Sequence, residues 1–280
     1  MCIRDSPEIN EFPSAAFYES RIRNGRNVEQ ENYSPPMLNS YFLPFLFFDL
    51  QESSEKYQNK SCSNTEEIEL CLNLLETLIL EARCNEIPLG SIGIITPYSD
   101  QIQGLKKVLT ERGYFSDTKS LFIVKAGVYV VMPDVELNTI DGFQGREKDI
   151  IIMSCVRSNE HGTVGFLADC RRMNVAITRA RFGLYIIGNI NTLRHNNTWY
   201  SLIKSASDRN LLVHVPSSKA PIMPILRKLY SVRSVHNDPT SSGVHTFEED
   251  SIMLSQATKK RKGTTETCMI FGVEEGEIEE

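Results

Sequence analysis

The sequence predicts an α/β fold, in which helices cover both faces of a parallel β-sheet. Short apolar runs rich in β-branched and aromatic residues, such as Phe45–Leu50, are typical of buried strands. They alternate with amphipathic segments such as residues 66–83, whose apolar positions repeat with the helical period. Because parallel strands need a crossover between them, this alternation indicates a parallel sheet with helices on both sides.

The individual elements follow from local patterns. Strands are expected where β-branched runs occur, at residues 45–50, 91–96, 120–132, 136–141, 149–156 and 183–188. Helices are expected where apolar residues recur at helical spacing, at residues 66–83, 99–112, 170–180 and 198–208. Thr65 is the expected N-cap of the first helix, and Gly113 is expected to end the second. Residues 51–64 are expected to form a polar loop.

Composition divides the chain into four parts. Residues 1–6 fit nothing downstream and are interpreted as an artefactual leader, and residues 7–40 are turn-rich, with Pro13, Pro35 and Pro36. Residues 41–215 carry the α/β pattern. Residues 216–280 are rich in Ser, Thr and charge, and we expect them to form a disordered C-terminal tail. The basic run at residues 259–262 is a candidate nuclear import signal, which favours a nuclear location and leaves a cytoplasmic one open.

Several classes of protein are excluded by what the sequence lacks. It has no apolar run of about 18 residues, so we expect no membrane partner. The seven cysteines form no C-x-x-C pair, and the histidines show no ligand spacing, so we expect neither a zinc site nor a disulfide framework. No G-x-G-x-x-G occurs, which disfavours a dinucleotide-binding enzyme. The net charge of −6 is unusual for a nucleic-acid binder, but the acidic residues cluster away from the motifs described next.

A first dense block of polar residues lies between two predicted strands, at residues 137–157. Its loop contains Gly142 and Gly145, which let a backbone approach a ligand closely. Four polar side chains follow within the loop: Gln144, Arg146, Glu147 and Lys148. Because ligands bind at strand ends in open parallel sheets, the loop is a candidate binding element. The alternative is an ordinary solvated surface loop.

A second block, residues 171–181, contains four arginines and no acidic residue. On a continuous helix, Arg172 and Arg179 would lie on one face, and Asn174, Thr178 and Arg181 on a neighbouring face. Arginine binds phosphate through charge-assisted, bidentate hydrogen bonds, so the block suits a polyanion. The alternative is a solvated basic face, which the interleaved apolar residues disfavour because they require the helix to be packed.

Together the two blocks resemble motifs V and VI of superfamily 1 helicases of the senataxin and nonsense-mediated-decay group. The resemblance is close over residues 138–189 and extends over about residues 7–215. The Arg-Arg-Met-Asn run at residues 171–174 and the Phe-Phe-Asp run at 47–49 favour the senataxin branch. The resemblance implies a RecA-like, three-layer domain of the P-loop NTPase type, which is the second motor domain of such a helicase.

The resemblance also implies roles for individual residues. Family members bind ATP and Mg²⁺ between two RecA-like domains, mostly through the first domain. Arg179 corresponds to the arginine finger, with Arg172 as a possible assistant in catalysis. Gly145, Glu147 and Arg179 are the expected nucleotide contacts, and no residue of this chain is expected to bind metal. Single-stranded RNA or DNA is expected to contact Thr96, Pro97, Tyr98, Thr139 and Arg157.

The sequence departs from the family in ways that affect function. It contains no G-x-x-x-x-G-K-[ST] phosphate loop and no D-E-A-x-Q-type segment. We therefore expect a fragment that lacks the first RecA-like domain, is monomeric and hydrolyses no ATP alone. A surplus segment relative to close relatives lies near residues 119–134, and it is interpreted either as an insertion or as an error in the gene model. The alternative function is a catalytically inactive module, derived from a helicase, that binds nucleic acid or a partner.

Overall fold

The computed structural model describes residues 3–4, 6–24, 41–58, 61–87, 89–112, 114, 122–125, 128–131 and 134–236. The chain divides into two compact units, Met1–Asp238 and Pro239–Glu280, of which the second lies outside the described residues. The candidate nuclear signal at residues 259–262 therefore lies outside them too.

The strands and helices alternate along the first unit. The strands are β1 (Ile3–Arg4), β2 (Arg23–Asn24), β3 (Phe45–Leu50), β4 (Glu55–Gln58), β5 (Ser61–Asn64), β6 (Ile92–Thr96), β7 (Phe122–Lys125), β8 (Val128–Val131), β9 (Val135–Thr139), β10 (Lys148–Ser154), β11 (Ala180–Gly188) and β12 (Leu212–Val215). The helices are α1 (Pro7–Phe17), α2 (Thr65–Cys84), α3 (Ser99–Glu111), α4 (Cys170–Ile177), α5 (Ile190–Leu193), α6 (Asn197–Asp208) and α7 (Ile222–His236).

Within the described residues, six strands form one parallel sheet in the order β12-β3-β11-β10-β6-β9. Helices α2 and α3 connect strands that lie successively nearer to β9 in the sheet. Helices α4 and α6 connect strands that lie successively nearer to β12. Since crossovers between parallel strands are right-handed, the two directions of travel place their helices on opposite faces. The contacts agree, because α2 packs against α3 and α7, whereas α1 packs against α4 and α6. The predicted three-layer α/β fold is confirmed.

The core lies on both faces of this sheet. Every residue of β3 and β6 is buried, whereas the residues of the edge strand β9 are only partly buried. The largest fully buried side chains include Trp199 and Tyr185. Ile9 and Phe12 of α1 belong to the same core, so the turn-rich expectation for residues 7–40 is wrong at α1. Pro7 occupies the first turn, where its missing N–H costs nothing.

Several predicted boundaries need correction. Residues 51–64, expected to be a loop, contain the hairpin β4–β5. The N-cap of α2 is Asn64 and not Thr65, because the Asn64 side chain accepts a hydrogen bond from the Glu67 amide at 3.0 Å. The expected single strand at residues 120–132 contains the hairpin β7–β8. Residues 216–236, expected to be disordered, contain α7, whose Ile222 and Leu226 are buried in the core.

Candidate functional site

The parallel sheet gives the candidate residues two locations. All six strands end at one edge, here called the carboxyl edge, and all begin at the opposite amino edge. Gly145 and Glu147 lie just before β10, and Arg179 lies just before β11. Because β10 and β11 are neighbours, these residues meet at the amino edge. The Lys148 amide donates to the Arg179 carbonyl at 3.1 Å, and Arg179 Nη1 donates to the Arg146 carbonyl at 3.4 Å.

The guanidinium of Arg179 is held against the end of α4. Its Nε donates to the Val175 carbonyl at 2.8 Å, and its Nη2 donates to Thr178 Oγ1 at 3.1 Å. Carbonyls at a helix C-terminus carry partial negative charge and attract a cation. These bonds fix the direction of a half-buried side chain before any ligand arrives.

The loop beside Arg179 is open enough to meet a ligand. Gly145 has a φ of +80°, and a Cβ added there would meet nothing within 4 Å. The surrounding charges are largely paired, because Lys148 Nζ lies 2.6 Å from Asp134 Oδ2 and Arg146 pairs with Glu136. A guanidinium beside an accessible, left-handed glycine backbone is a donor set that fits a phosphate-bearing ligand such as ATP.

The structure separates Arg172 from Arg179, so the expectation that they share a helix face is wrong. Helix α4 ends at Ile177, and Arg179 follows it. Arg172 lies near the start of α4, where its Nε donates to Asp141 Oδ1 at 3.0 Å. Asp141 follows the end of β9, so Arg172 belongs to the carboxyl edge. The prediction that Arg181 lies on a face of the same helix is also wrong, because Arg181 lies in β11 and pairs with Asp149 at 3.0 Å.

The carboxyl edge brings together the residues that are predicted to bind single-stranded RNA or DNA. Thr96 and Thr139 end the neighbouring strands β6 and β9, with Pro97 and Tyr98 following directly. Their exposure differs from the expectation for a binding surface: Thr96, Tyr98 and Arg157 are buried, and only Pro97 and Thr139 are partly exposed. Most of the predicted set therefore supports this edge from beneath, since Arg157 is ion-paired with Glu55 and donates a hydrogen bond to the Tyr98 hydroxyl.

Arg157 shows how this support works. Its Nε lies 2.9 Å from Glu55 Oε2, and its Nη1 donates to the Tyr98 hydroxyl at 3.2 Å. The preceding residue, Val156, has a φ of +69°, a left-handed conformation that β-branched residues rarely adopt. This turn directs the Arg157 side chain into the edge. The predicted direct contact with nucleic acid is thus not available to Arg157 in this conformation.

A buried polar network holds Val156 in place. Glu67 Oε2 accepts hydrogen bonds from the Val156 amide at 2.8 Å and from Ser154 Oγ at 2.6 Å. Asn64 Nδ2 donates to the Val156 carbonyl at 3.1 Å. Burial raises the pKa of the Glu67 carboxyl to about 8. Sequence reasoning missed this network, although the Asn-x-x-Glu spacing at the start of α2 was a visible signal.

Phe166 is a further residue that sequence reasoning missed. Its side chain is exposed at the carboxyl edge, beside Tyr98 and Arg172.

In the described part of the chain, no group of three or more His, Cys, Asp or Glu side chains could hold a metal ion. No helix among the described residues has the length and apolar character needed to cross a membrane.

Comparisons with known proteins add independent information. The family model described as AAA domain matches residues 3–191. Helicase sen1 of Schizosaccharomyces pombe is 38% identical over 213 residues, covering 75% of this chain and 12% of that protein. Probable helicase senataxin of Mus musculus is 35% identical over 243 residues, covering 85% of this chain and 8% of that protein.

The similarity also reaches a second group of relatives. Regulator of nonsense transcripts 1 of Dictyostelium discoideum is 36% identical over 236 residues, covering 81% of this chain and 16% of that protein. The chain thus spans less than a fifth of the length of these three relatives. A solved structure, described as the C-terminal domain of a "possible DNA helicase" from Lactobacillus plantarum, is 12% identical with a TM-score of 0.37, covering 71% of this chain and 97% of that one. That score is too low to carry an argument.

Proposed function

Because this chain belongs to the AAA domain family, as the C-terminal, RecA-like part of a senataxin-like superfamily 1 helicase, we propose that it forms one wall of an ATP site and part of a single-strand path. The observation that carries the proposal is the meeting of Gly145, Glu147 and Arg179 at the amino edge of the sheet. In this proposal the other wall comes from a first RecA-like domain, which also holds most of the Mg²⁺ and phosphate contacts. We take the chain to be a monomer.

The proposed mechanism assigns each residue of the amino edge a task. Bound ATP supplies a γ-phosphoryl group on which negative charge is spread during transfer to water. Arg179 donates charge-assisted hydrogen bonds to the phosphate, exchanging its contact with the Arg146 carbonyl for a stronger one. Gly145 lets the loop backbone approach the nucleotide, and Glu147 contacts it from the same loop. Arg172 lies at the other edge and takes no part in this step.

The carboxyl edge is the proposed path of single-stranded RNA or DNA. Pro97 and Thr139 present the accessible contacts, whereas Thr96, Tyr98 and Arg157 position them from below. Contacts of this kind are made to the sugar-phosphate backbone of the nucleic acid. Binding should therefore depend little on base sequence and should weaken as the salt concentration rises. We propose a nuclear location, with the cytoplasm as a second one, on the basic run at residues 259–262.

The ATP site is tested in a protein that joins this chain to its first RecA-like domain. Arg179→Ala should lower ATP turnover by about 10³-fold or more, because the negative charge that develops on the phosphoryl group loses the cation that this chain supplies. Strand binding, measured by fluorescence anisotropy, should stay within a few fold of the unaltered protein, since Arg179 lies at the opposite edge.

Arg171→Ala is the matched control, because Arg171 is a fully solvated arginine of α4 whose partner is Asp169. It should leave turnover nearly unchanged. The isolated chain should hydrolyse no ATP. Turnover by the Arg179 variant close to that of the Arg171 variant would remove the arginine-finger assignment.

A second candidate function is the binding of single-stranded nucleic acid without ATP hydrolysis. The observation that favours it is that the whole carboxyl edge belongs to this chain. The two functions differ in one measurement. If the two-domain protein binds a strand but hydrolyses no ATP in its presence, the inactive binding module is the correct function and the motor is not.

A further inference from the structure

Phe166 has an exposed ring although it lies in a fixed segment. It belongs to the 3-10 turn Gly165–Ala168, and 49% of its surface is exposed. Its neighbours Val164 and Leu167 are buried. The Leu167 carbonyl accepts a hydrogen bond from Nε1 of the fully buried Trp199 at 2.9 Å. The exposure of the ring therefore does not come from a loose loop.

The other side of the turn is fixed by a close backbone approach. Gly165 has a φ of +55°, and a Cβ added there would lie 2.6 Å from the Tyr98 hydroxyl and 2.8 Å from Arg157 Nη1. Only glycine allows the turn to sit this close to the buried support of the carboxyl edge. The orientation of the Phe166 ring is thus set in advance, which lowers the entropic cost of binding to it.

The ring has an aromatic and a cationic neighbour. Its centroid lies 5.5 Å from that of Tyr98, at an interplanar angle of 52°, and the Arg172 guanidinium carbon lies 5.2 Å from its centroid. The nearby carboxylates are paired, Asp141 with Arg172 and Asp169 with Arg171. The Arg172 guanidinium lies over the ring, and the ring surface that stays exposed, together with this cation, is the kind of arrangement on which bases of single-stranded nucleic acid stack.

We propose that Phe166, backed by Tyr98 and flanked by Arg172, is a stacking surface for one base of the bound single strand. The inference rests on the proposed strand path and adds a base contact to it. A base is favoured over an apolar peptide side chain because the exposed surface is a planar ring next to a guanidinium. Stacking on a ring is sequence-tolerant, as every base has a flat face.

The test measures anisotropy of a fluorescently labelled oligouridylate titrated with the full 280-residue chain. Phe166→Ala should weaken binding about tenfold, the usual effect of removing one stacking side chain. Phe166→Trp should retain the affinity, and Phe166→Leu, which keeps apolar surface but has no ring, should not. Tyr200→Ala is the matched control, because Tyr200 of α6 is a similarly exposed aromatic residue and should not affect binding.

An oligomer with abasic sites separates stacking from other effects. On the abasic strand, the unaltered chain and Phe166→Ala should bind alike; a tenfold difference there would overturn the inference, because the substitution would be acting through the fold. Full affinity of Phe166→Leu would also overturn it and would favour an apolar protein partner. If the unaltered chain binds while Phe166→Ala binds equally well, the stacking inference fails and the strand path stands. If the unaltered chain binds no strand, the proposed path fails, and the stacking inference with it.

Discussion

At the scale of single residues, Glu67 has the most unusual environment. It is fully buried, and its carboxyl accepts hydrogen bonds from Ser154 and from the strained Val156 backbone. Burial disfavours the charged form, which is why the pKa rises to about 8 despite those hydrogen bonds. A proton is therefore retained in the folded protein over a pH range in which an exposed Glu would have lost it.

This proton predicts how stability depends on pH. The carboxyl titrates near 4.5 in the unfolded chain and near 8 in the folded one. Its contribution is fully present below 4.5 and is lost as pH rises toward 8, because only the unfolded chain releases the proton in that window. The free energy of unfolding should fall by on the order of a few kcal/mol across the window.

Glu67→Gln removes the titrating group while keeping an oxygen that can accept from Ser154 and Val156. In urea denaturation at a series of pH values, the difference between this variant and the unaltered chain should grow from pH 5 to pH 8 in favour of the variant. A constant difference over that range would show that Glu67 is ionised in the folded state.

At the scale of single elements, Gly145 and Gly165 both have a positive φ but differ in what surrounds them. Gly165 packs against Tyr98 and Arg157, whereas Gly145 faces open space. Replacing either with alanine incurs the backbone cost of the left-handed conformation, about 1–2 kcal/mol. Only at Gly165 does the new methyl group also collide with buried atoms.

Gly165→Ala should therefore lower the free energy of unfolding by about 1–3 kcal/mol more than Gly145→Ala does. Chemical denaturation of the two variants side by side measures this difference. Equal losses would mean that Tyr98 and Arg157 can move aside, and that the turn carrying Phe166 is not held as tightly as its contacts indicate.

The elements also show which parts of the fold a sequence can predict. Strands β3, β6 and β10 are predicted to within two residues, because buried parallel strands are continuous apolar runs, whereas β11 begins three residues earlier than predicted. Helix α4 was predicted three residues too long, since Ala180 continues its apolar period although it pairs with Lys148 as a strand residue. Helix α1 was missed because Pro13 lies within it, and a proline in a helix interior normally argues against a helix.

At the scale of the whole molecule, α7 closes one layer of the domain. Asn73 of α2 donates to the carbonyls of Ser218 and Ala220 at 3.2 and 2.8 Å, which fixes the chain leading into α7. Leu226 is fully buried in the core shared with the sheet. The globular unit therefore extends past residue 215, where sequence composition had placed its end.

Leu226→Ala should destabilise the chain by about 2–5 kcal/mol, the usual cost of truncating a fully buried leucine. Val232→Ala is the control, because Val232 lies on the same helix but is exposed, and it should change stability by less than about 0.5 kcal/mol. Thermal or urea denaturation gives both values. If the two substitutions cost the same, α7 does not contribute to the core.

The proximity of the candidate site residues could be predicted in part for a physical reason. Gly145, Glu147 and Arg179 come together because they precede two neighbouring strands, which a correct strand assignment already implies. Burial could not be predicted in the same way. Arg157 reads as an exposed cation in the sequence, and its pairing with Glu55 depends on a hairpin 100 residues away that no local pattern indicated.

Helix α4 joins the two edges of the sheet, with Arg172 near its start and Arg179 just after its end. An eight-residue helix is about 12 Å long and behaves as a short rigid rod. A rotation of the whole helix would displace Arg172 together with the Val175 carbonyl that holds Arg179, whereas a rotation of the Arg179 side chain alone would leave Arg172 in place. Adding one residue to the rod would put its ends out of phase by about 100°. The proposed nucleotide and single-strand sites are therefore attached to the two ends of one short helix, and the length of α4 fixes how these ends are oriented relative to each other.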